Sequence, residues 1–213
     1  MSIKYDKFMT EVLPYVHDCP EIAAINAIRN AVIEFCEESK ILQETLDSIT
    51  LIPKLNNYDL DVADGYRPVG VMQAWSSNLP MTPKSADDLG RIYPQDWREM
   101  SGNPQYFMQY RPDELIVVPF SDTRRVGALR VIVAIAPTRD SQEVEDIVWQ
   151  KYAETIGFGA RSRLYDTPNQ PYYDPNFAQL FRAKFMNGIG KAKIDATRSF
   201  TRAGTRVRPP QLV

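Results

Sequence analysis

Apolar residues recur at helical spacing near both ends of the chain. In the N-terminal part, intervals of three or four residues predict a helix from Pro20 to Ser39, with Pro20 in its first turn and Asp18 as its cap. A shorter helix from about Ser2 to Pro14 is predicted ahead of it. The apolar face of the longer helix is expected to consist of Ile22, Ile25, Ile28 or Arg29, Val32, Phe35 and Cys36.

Two more helices are predicted in the last third of the chain. The first extends to about Leu164 and is followed by Asp174-Pro175, a strong start signal for the second. Because each helix has one apolar stripe that needs a partner, we expect both to pack against the Pro20 to Ser39 helix. The two stripes are Val144, Ile147, Val148, Lys151, Tyr152, Thr155 and Ile156, and then Phe177, Leu180, Phe181, Phe185 and Ile189.

The middle of the chain has a different pattern, with short apolar runs interrupted by Pro, Gly and Asn. Such runs are typical of strands. Asp64-Gly65 predicts a turn of the hairpin kind. Residues 76–104 are rich in Pro, Ser and Asp and predict a long projecting loop with a short helix near Asp87. The strands are expected at Leu46–Leu51, Tyr58–Val62, Tyr66–Trp75, Gln105–Tyr110, Glu114–Val118 and Gly127–Ile135.

This order of elements predicts an α+β fold in which a β-rich module is inserted into a helical-bundle domain. The helical domain is expected to comprise residues 1–42 and 138–200. The inserted module, sandwich-like or barrel-like, is expected to cover residues 43–137. Residues 201–213 lack apolar periodicity and contain Pro209-Pro210, so they predict an extended basic tail.

Charge is unevenly distributed along a chain whose formal net charge is only -2. The last 32 residues, from Arg182 to Val213, carry eight basic residues and one acid, Asp195, so this segment is +7 and the remainder is -9. Such a division favours electrostatic contact between subunits, or a basic arm for a partner. The eight basic residues are Arg182, Lys184, Lys191, Lys193, Arg198, Arg202, Arg206 and Arg208.

Signals for catalysis and for metal binding are weak. The only histidine, His17, adjoins Asp18 and Cys19, but neighbours in sequence rarely converge as a catalytic triad must. With one histidine and two cysteines, the chain lacks the ligands for a structural zinc site. Cys19 and Cys36 flank a helix and stand about 25 Å apart at 1.5 Å per residue, so we expect free thiols. We therefore expect no enzyme activity, no cofactor and no metal.

Two glycine pairs, Gly157 with Gly159 and Gly188 with Gly190, lack the spacing of phosphate-binding loops and do not follow strands. We interpret them as places where helices pack closely.

An ordered set of short segments resembles the head–tail adaptor (connector) proteins of tailed bacteriophages, from about Cys19 to Ala192. No segment is diagnostic alone, since each is a packing pattern, and the order of the set carries the resemblance. The segments are Cys19-Pro20-Glu21, Phe35-Cys36-Glu37-Glu38-Ser39, Gly102-Asn103-Pro104-Gln105-Tyr106, Ile135-Ala136-Pro137, Tyr152-Ala153-Glu154-Thr155-Ile156, Gly159-Ala160-Arg161-Ser162-Arg163-Leu164, and Phe177-Ala178 leading to Phe185 and Gly188.

The resemblance implies a structural virion protein at the head–tail interface, made in the host cytoplasm. It implies a ring, a dodecamer in this family, that joins the portal protein to tail or nozzle proteins and continues the channel for genomic DNA without sequence-specific binding. We expect no membrane contact. The alternative is a nucleic-acid-binding protein that uses the basic C-terminal segment. Contact with the portal or a neighbouring subunit is expected from Arg198, Arg202, Arg206, Arg208, Pro209 and Pro210.

Overall fold

The structure is a computed structural model that describes residues 2–198. The chain divides into two compact units. One, the helical unit, consists of the described residues of Met1–Ile41 and Val144–Val213. The other, the β unit, is Leu42–Glu143. The predicted α+β class, a helical domain with a β-rich module, is confirmed; the predicted tail, 201–213, lies outside the described residues.

The described residues contain four α-helices: α1 (Glu21–Ser39), α2 (Ala86–Ile92), α3 (Asp146–Tyr165) and α4 (Pro175–Arg198). Two short 3-10 helices span Tyr5–Glu11 and Trp97–Glu99. The strands are β1 (Ser2–Lys4), β2 (Gln43–Thr45), β3 (Ile49–Leu51), β4 (Asn57–Asp59), β5 (Tyr66–Ser76), β6 (Leu79–Pro80), β7 (Thr82–Pro83), β8 (Ser101–Gly102), β9 (Tyr106–Met108), β10 (Glu114–Val118), β11 (Phe120–Ser121), β12 (Arg125–Pro137) and β13 (Glu143–Glu145).

The core of the helical unit forms where α1, α3 and α4 pack against one another, as the apolar stripes predicted. Val32 and Phe35 of α1, Ile156 of α3, and Phe185 and Ile189 of α4 are fully or almost fully buried. The buried face of α1 and that of α4 are nevertheless rotated about the helix axis relative to the predicted apolar faces. Large residues at their edges lie in solvent: Ile22 is 76% exposed, and Phe177 and Leu180 are each 47% exposed. Small residues take their place in the core: Ala24, Ala27, Ala31, Ala160, Ala178, Ala192 and Ala196.

The N-terminal segment differs from the predicted helix. It begins with strand β1, which pairs with β13, and continues as a 3-10 helix at Tyr5–Glu11. Tyr5 and Phe8 are buried there, because this short helix packs against both α1 and α3. Asp18 does not cap α1. Pro20 occupies the N-cap position without a side-chain cap, and Asp18 has a positive φ of 59°.

The β unit is organised around its longest strand, β12. One side of β12 pairs antiparallel with β5 over nine residue pairs, from Leu129 opposite Ser76 to Pro137 opposite Tyr66. The other side pairs with β2 and β3. A turn at Ser77 and Asn78, both with positive φ, then folds β6 back onto β5. A second sheet has the order β4-β10-β9-β7, and β11 pairs with β8.

Two predictions in this unit were wrong. Asp64-Gly65 is a turn, with Gly65 at φ 81°, but it makes no hairpin because β4 pairs with β10 while β5 pairs with β12. Residues 76–104 are not a projecting loop. The predicted short helix near Asp87 is present as α2, but the segment also contains several short strands, and Leu89 and Trp97 are buried against Met108 and Val118.

Candidate assembly surface of the helical unit

Close approach between the three long helices depends on glycines of α3 and α4. A Cβ on Gly159 would lie 2.7 Å from Cε2 of Phe185 and 3.0 Å from Cβ of Ala31. A Cβ on Gly188 would lie 2.3 Å from Cγ2 of Thr155. Real Cβ atoms do not approach so closely, so both positions require glycine at this helix spacing.

The other two glycines behave differently. A Cβ on Gly157 would meet Glu11 at 2.8 Å, so this residue accommodates the N-terminal 3-10 helix and not another long helix. Among residues 2–198, no atom lies within 4 Å of a Cβ placed on Gly190. The interpretation of Gly190 as a residue where two of the described helices pack closely is therefore wrong.

Part of the C-terminal positive charge is neutralised within the helical unit. Glu34 on α1 forms ion pairs with Arg163 of α3 and with Arg182 of α4, the latter at 2.5 Å. The hydrogen bond to Glu34 also raises the pKa of Arg182. Further along, Lys193 pairs with Glu38 at 3.0 Å. Two of the eight basic residues of the C-terminal segment thus hold α4 against α1.

A second polar contact joins α3 to the end of α4. The hydroxyl of Tyr152 donates to Oδ2 of Asp195 at 2.8 Å. Burial, and then the hydrogen bond to Asp195, raise the pKa of Tyr152. The single acid of the basic segment therefore has a structural role in the helical core.

An aromatic cleft of about 570 Å³ lies between α3, α4 and the segment that follows the N-terminal 3-10 helix. Arg161 is its most unusual residue: it is a charged side chain only 4% exposed. Its guanidinium carbon lies 4.1 Å from the ring centre of Tyr15 and 4.8 Å from those of Phe158 and Phe181. We name this the Arg161 cleft; it is lined by Glu11, Tyr15, Glu154, Phe158, Arg161, Phe181 and Lys184.

The cleft continues into an aromatic cluster on the outer side of α4. Phe181 stacks on Phe158 at 5.9 Å and on Tyr165 at 5.7 Å between ring centres. Tyr165 in turn contacts Phe177, and its hydroxyl donates to the carbonyl of Tyr15. The predicted apolar stripe of α4 is thus divided: Phe185 and Ile189 fill the core, whereas Phe177 and Phe181 form part of the surface.

Residues proposed for portal or neighbour contact are placed only in part. Arg198 is the last residue of α4 and is exposed. Arg202, Arg206, Arg208, Pro209 and Pro210 lie outside the described residues.

The residues considered for catalysis do not form a constellation in the described part of the chain. His17 is exposed, and the thiol of Cys19 donates weakly to the carbonyl of Pro20 at 3.6 Å. Cys36 is buried, and burial, followed by the nearby charge of Glu145, raises the pKa of its thiol. A thiol held protonated in this way is a poor nucleophile.

The acid pair Asp87-Asp88 has a local explanation. Asp88 and Ser85 form a reciprocal capping box at the start of α2, and the hydrogen bonds from Ser85 lower the pKa of Asp88. Within residues 2–198, no group of three or more His, Cys, Asp or Glu side chains is placed to hold a metal ion. None of the described helices is both long and apolar enough to cross a membrane.

Comparison with known families addresses the chain as a whole. Residues 3–210 match the family model described as SU10 adaptor protein. The chain belongs to the SU10 adaptor protein family. The matched range includes residues of both units. No curated protein matches the adaptor significantly.

The family assignment confirms the coarser part of the resemblance drawn from the sequence, that of a phage adaptor protein with a structural role. Sequence reasoning missed the Arg161 cleft. Arg161 lies in a helix whose apolar face was assigned to other positions, and no periodicity distinguishes a buried arginine from an exposed one. The aromatic residues around it, Tyr15, Phe158 and Phe181, come from separate segments and form no motif in the sequence.

Proposed function

We propose that this adaptor assembles into a closed ring at the head–tail interface of a tailed phage, where it joins the portal to the tail and continues the DNA channel. It acts through assembly and carries out no catalysis. The observation that carries the proposal is the match of residues 3–210 to an adaptor family. The resemblance of its ordered segments to head–tail connectors supports the more specific proposal of a ring between portal and tail.

The surface of α4 supports a role in assembly. Phe177, Leu180, Met186 and Ile194 are between 43% and 52% exposed on one helix. Single exposed apolar residues are common, but several on one helix indicate a contact surface. A ring requires one surface of a subunit to meet a different surface of its neighbour. The exposed apolar residues of α4 are a candidate for one such surface of the helical unit.

The distribution of paired charge weakens the alternative of a nucleic-acid-binding protein. Arg182 and Lys193 are engaged by Glu34 and Glu38, which leaves fewer of the basic residues for phosphate contact. The two functions differ in solution. A ring-forming adaptor gives a large discrete oligomer or an assembly-competent monomer, and a nucleic-acid binder gives tight binding that weakens steeply with salt.

The proposed portal contact of the C-terminal segment is tested by deleting residues 201–213. These residues carry Arg202, Arg206 and Arg208, which need an acidic surface or phosphate as a partner. We expect DNA-filled heads from infected cells to lack the adaptor when it is truncated. Heads that retain the truncated adaptor and tails at wild-type levels contradict the contact. The matched control is substitution of His17 by Ala, which alters an exposed residue far from the deletion in sequence.

A further inference from the structure

The side of α4 that faces away from the core carries a stripe with the spacing of a coiled coil. Its six residues follow one another at alternating intervals of three and four, and all six are exposed. Leu180 and Ile194, the two large apolar residues among them, are 47% and 52% exposed. Such a repeat places one contact line along a helix, against which a second helix can pack. We name this stripe the α4 seam; it consists of Leu180, Ala183, Asn187, Gly190, Ile194 and Thr197.

The α4 seam contains no charged residue, but the charges beside it are almost all of one sign. Helix α4 has five basic residues and one acid, Asp195, which accepts a hydrogen bond from Tyr152 of α3. In each heptad the position that flanks the seam on one side is basic: Lys184, Lys191 and Arg198. Flanking charges of this kind select the partner helix, and like charges exclude one another. Two α4 seams are therefore unsuited to pair with each other.

The chain's own residues 199–213 are a poor match for the seam on the same ground. They follow α4 directly in sequence and contain three arginines and no acid. Contact with the basic flank of α4 would again bring like charges together. The partner of the α4 seam has to supply both an apolar helix side and acidic residues.

Helix α1 meets both requirements. It has four glutamates and one arginine, a net charge of -3, whereas five basic residues and one acid give α4 a net charge of +4. On the side of α1 away from the core, Ile22 is 76% exposed and Ile33 is partly exposed. Residues on this side again recur at intervals of three and four. We name them the α1 seam: Ile22, Asn26, Asn30, Ile33 and Glu37.

Charge complementarity between α1 and α4 already operates within one copy. Glu34 of α1 pairs with Arg182 of α4 at 2.5 Å, and Glu38 pairs with Lys193 at 3.0 Å. These contacts use the sides of the two helices that face each other, and both seams lie on other sides and stay exposed. A second copy can therefore bring the same two kinds of helix together through the seams.

We propose that the α4 seam of one copy packs against the α1 seam of a second copy, an inference that rests on the proposed assembly of the adaptor into a ring. The two seams are different surfaces of one helical unit, so the contact is head-to-tail and repeats from copy to copy. Closed rings are built from contacts of this type. Ala183 and Gly190 have little or no side chain, so the backbones of the two helices can approach closely.

Site-specific photo-cross-linking in phage particles tests the contact directly. A benzophenone amino acid replaces Asn187, in the middle of the α4 seam, and the linked peptides are identified by mass spectrometry after irradiation. We expect a species of twice the mass of the chain, in which residue 187 is joined to a peptide of α1. Gln150 is the matched control, since it is exposed on α3 and belongs to neither seam.

Several results of this experiment would overturn the inference. They are links from residue 187 only to residues 199–213 of the same chain, to α4 or the β unit of another copy, or to a different virion protein. Particles that contain the labelled chain but give no link from residue 187, or that give the α1 link equally from residue 150, overturn it as well.

Competition for places in the particle supplies an independent measurement. Equal amounts of the wild-type chain and of a Leu180→Gln, Ile194→Gln double variant are produced in infected cells, and their ratio in purified particles is measured by mass spectrometry. We expect the double variant to be depleted about tenfold or more, because two apolar side chains lose their contact. Val126→Gln is the matched control: it changes an apolar side chain that is 82% exposed in the β unit, and it should enter at the ratio supplied.

Circular dichroism of the purified chains reports whether each variant folds. Should the double variant not fold, Ile22→Gln on the α1 seam is measured in the same competition and should also be depleted. A folded seam variant that enters particles at the ratio supplied overturns the inference. The proposed function stands in that case, because the chain is present in particles, whereas absence of the wild-type chain from particles removes the proposed function and the inference together.

Discussion

Replacing Gly159 by Ala tests whether the helical unit depends on direct backbone contact between its helices. The added methyl group would overlap the ring of Phe185, at 2.7 and 2.8 Å, and approach Cβ of Ala31 at 3.0 Å. Phe185 and Ala31 are both completely buried, so the ring has no free space into which to turn. Gly190→Ala is the matched control, because it adds the same methyl group at a position of α4 where no described atom lies within 4 Å of the new Cβ.

The two substitutions share one energy term and differ in another. Alanine is favoured over glycine inside a helix by about 1 kcal/mol, and this gain applies at both positions. Overpacking of a close-packed core costs about 1–3 kcal/mol and applies at Gly159 alone. Gly190→Ala should therefore stabilise the protein by up to about 1 kcal/mol. The free energy of unfolding of Gly159→Ala should be about 1–3 kcal/mol lower than that of Gly190→Ala.

Thermal and urea unfolding of the full-length chain measure this difference. For a protein of this size, 1 kcal/mol corresponds to a change in Tm of about 2–4 °C. We expect Gly159→Ala to melt several degrees below Gly190→Ala, with the wild type between them or close to the lower value. Equal melting temperatures for the two variants would refute the argument that α1, α3 and α4 are held at a spacing only glycine allows.

Three further predictions concern single side chains. Glu34→Gln removes a carboxylate that pairs with two arginines and should lower the free energy of unfolding, measured in urea, by about 1–2 kcal/mol. Glu38→Gln, which affects one exposed pair, should lower it by less than about 0.5 kcal/mol, and equal losses for the two variants would contradict this difference. The lowered pKa of Asp88 stabilises the fold above the ordinary carboxyl pKa, and this contribution disappears as pH falls through the lowered value. The acid limb of the stability–pH profile should therefore flatten in Asp88→Asn but not in Asp87→Asn. His17→Ala should leave particle assembly and infectivity near normal, and abolished infectivity with normal incorporation would reveal a missed site.

The long elements of this fold could be read from the sequence because their signals are local. Helix α4 begins at Asp174-Pro175 as predicted. The carboxylate of Asp174 accepts hydrogen bonds from the backbone N–H groups of Asn176 and Phe177. The strand at β5 and the strand at β12 were also placed within a few residues of their bounds. Capping groups and continuous apolar runs act within one element, so no tertiary information is needed to recognise them.

The rotation of the helix faces could not be predicted in the same way. Periodicity gives most weight to large side chains, which placed Ile22 on the buried face of α1. The structure buries Ala27 and Ala31 instead, because α1 approaches α3 closely enough for Ala31 to meet Gly159. How closely two helices approach is a property of the pair, so the sequence of either helix alone does not reveal it.

The segment 76–104 was misjudged for a related reason. Its polar composition is typical of a loop, yet Leu89 and Trp97 are spaced to reach one cluster with Met108 and Val118. Two apolar anchors in a polar stretch give no periodic signal, although they suffice to hold the segment onto the β unit. The Arg161 cleft was beyond sequence reasoning because it combines residues from three separate segments of the chain.

Cryo-electron microscopy of purified phage particles at the tail vertex shows whether this adaptor forms a ring at the head–tail interface. We expect a closed ring of copies of this chain between the portal and the tail, with its helical units in mutual contact around a DNA channel. Particles that contain no copy of the chain at that vertex, or that carry it elsewhere on the virion, would rule out the proposed ring.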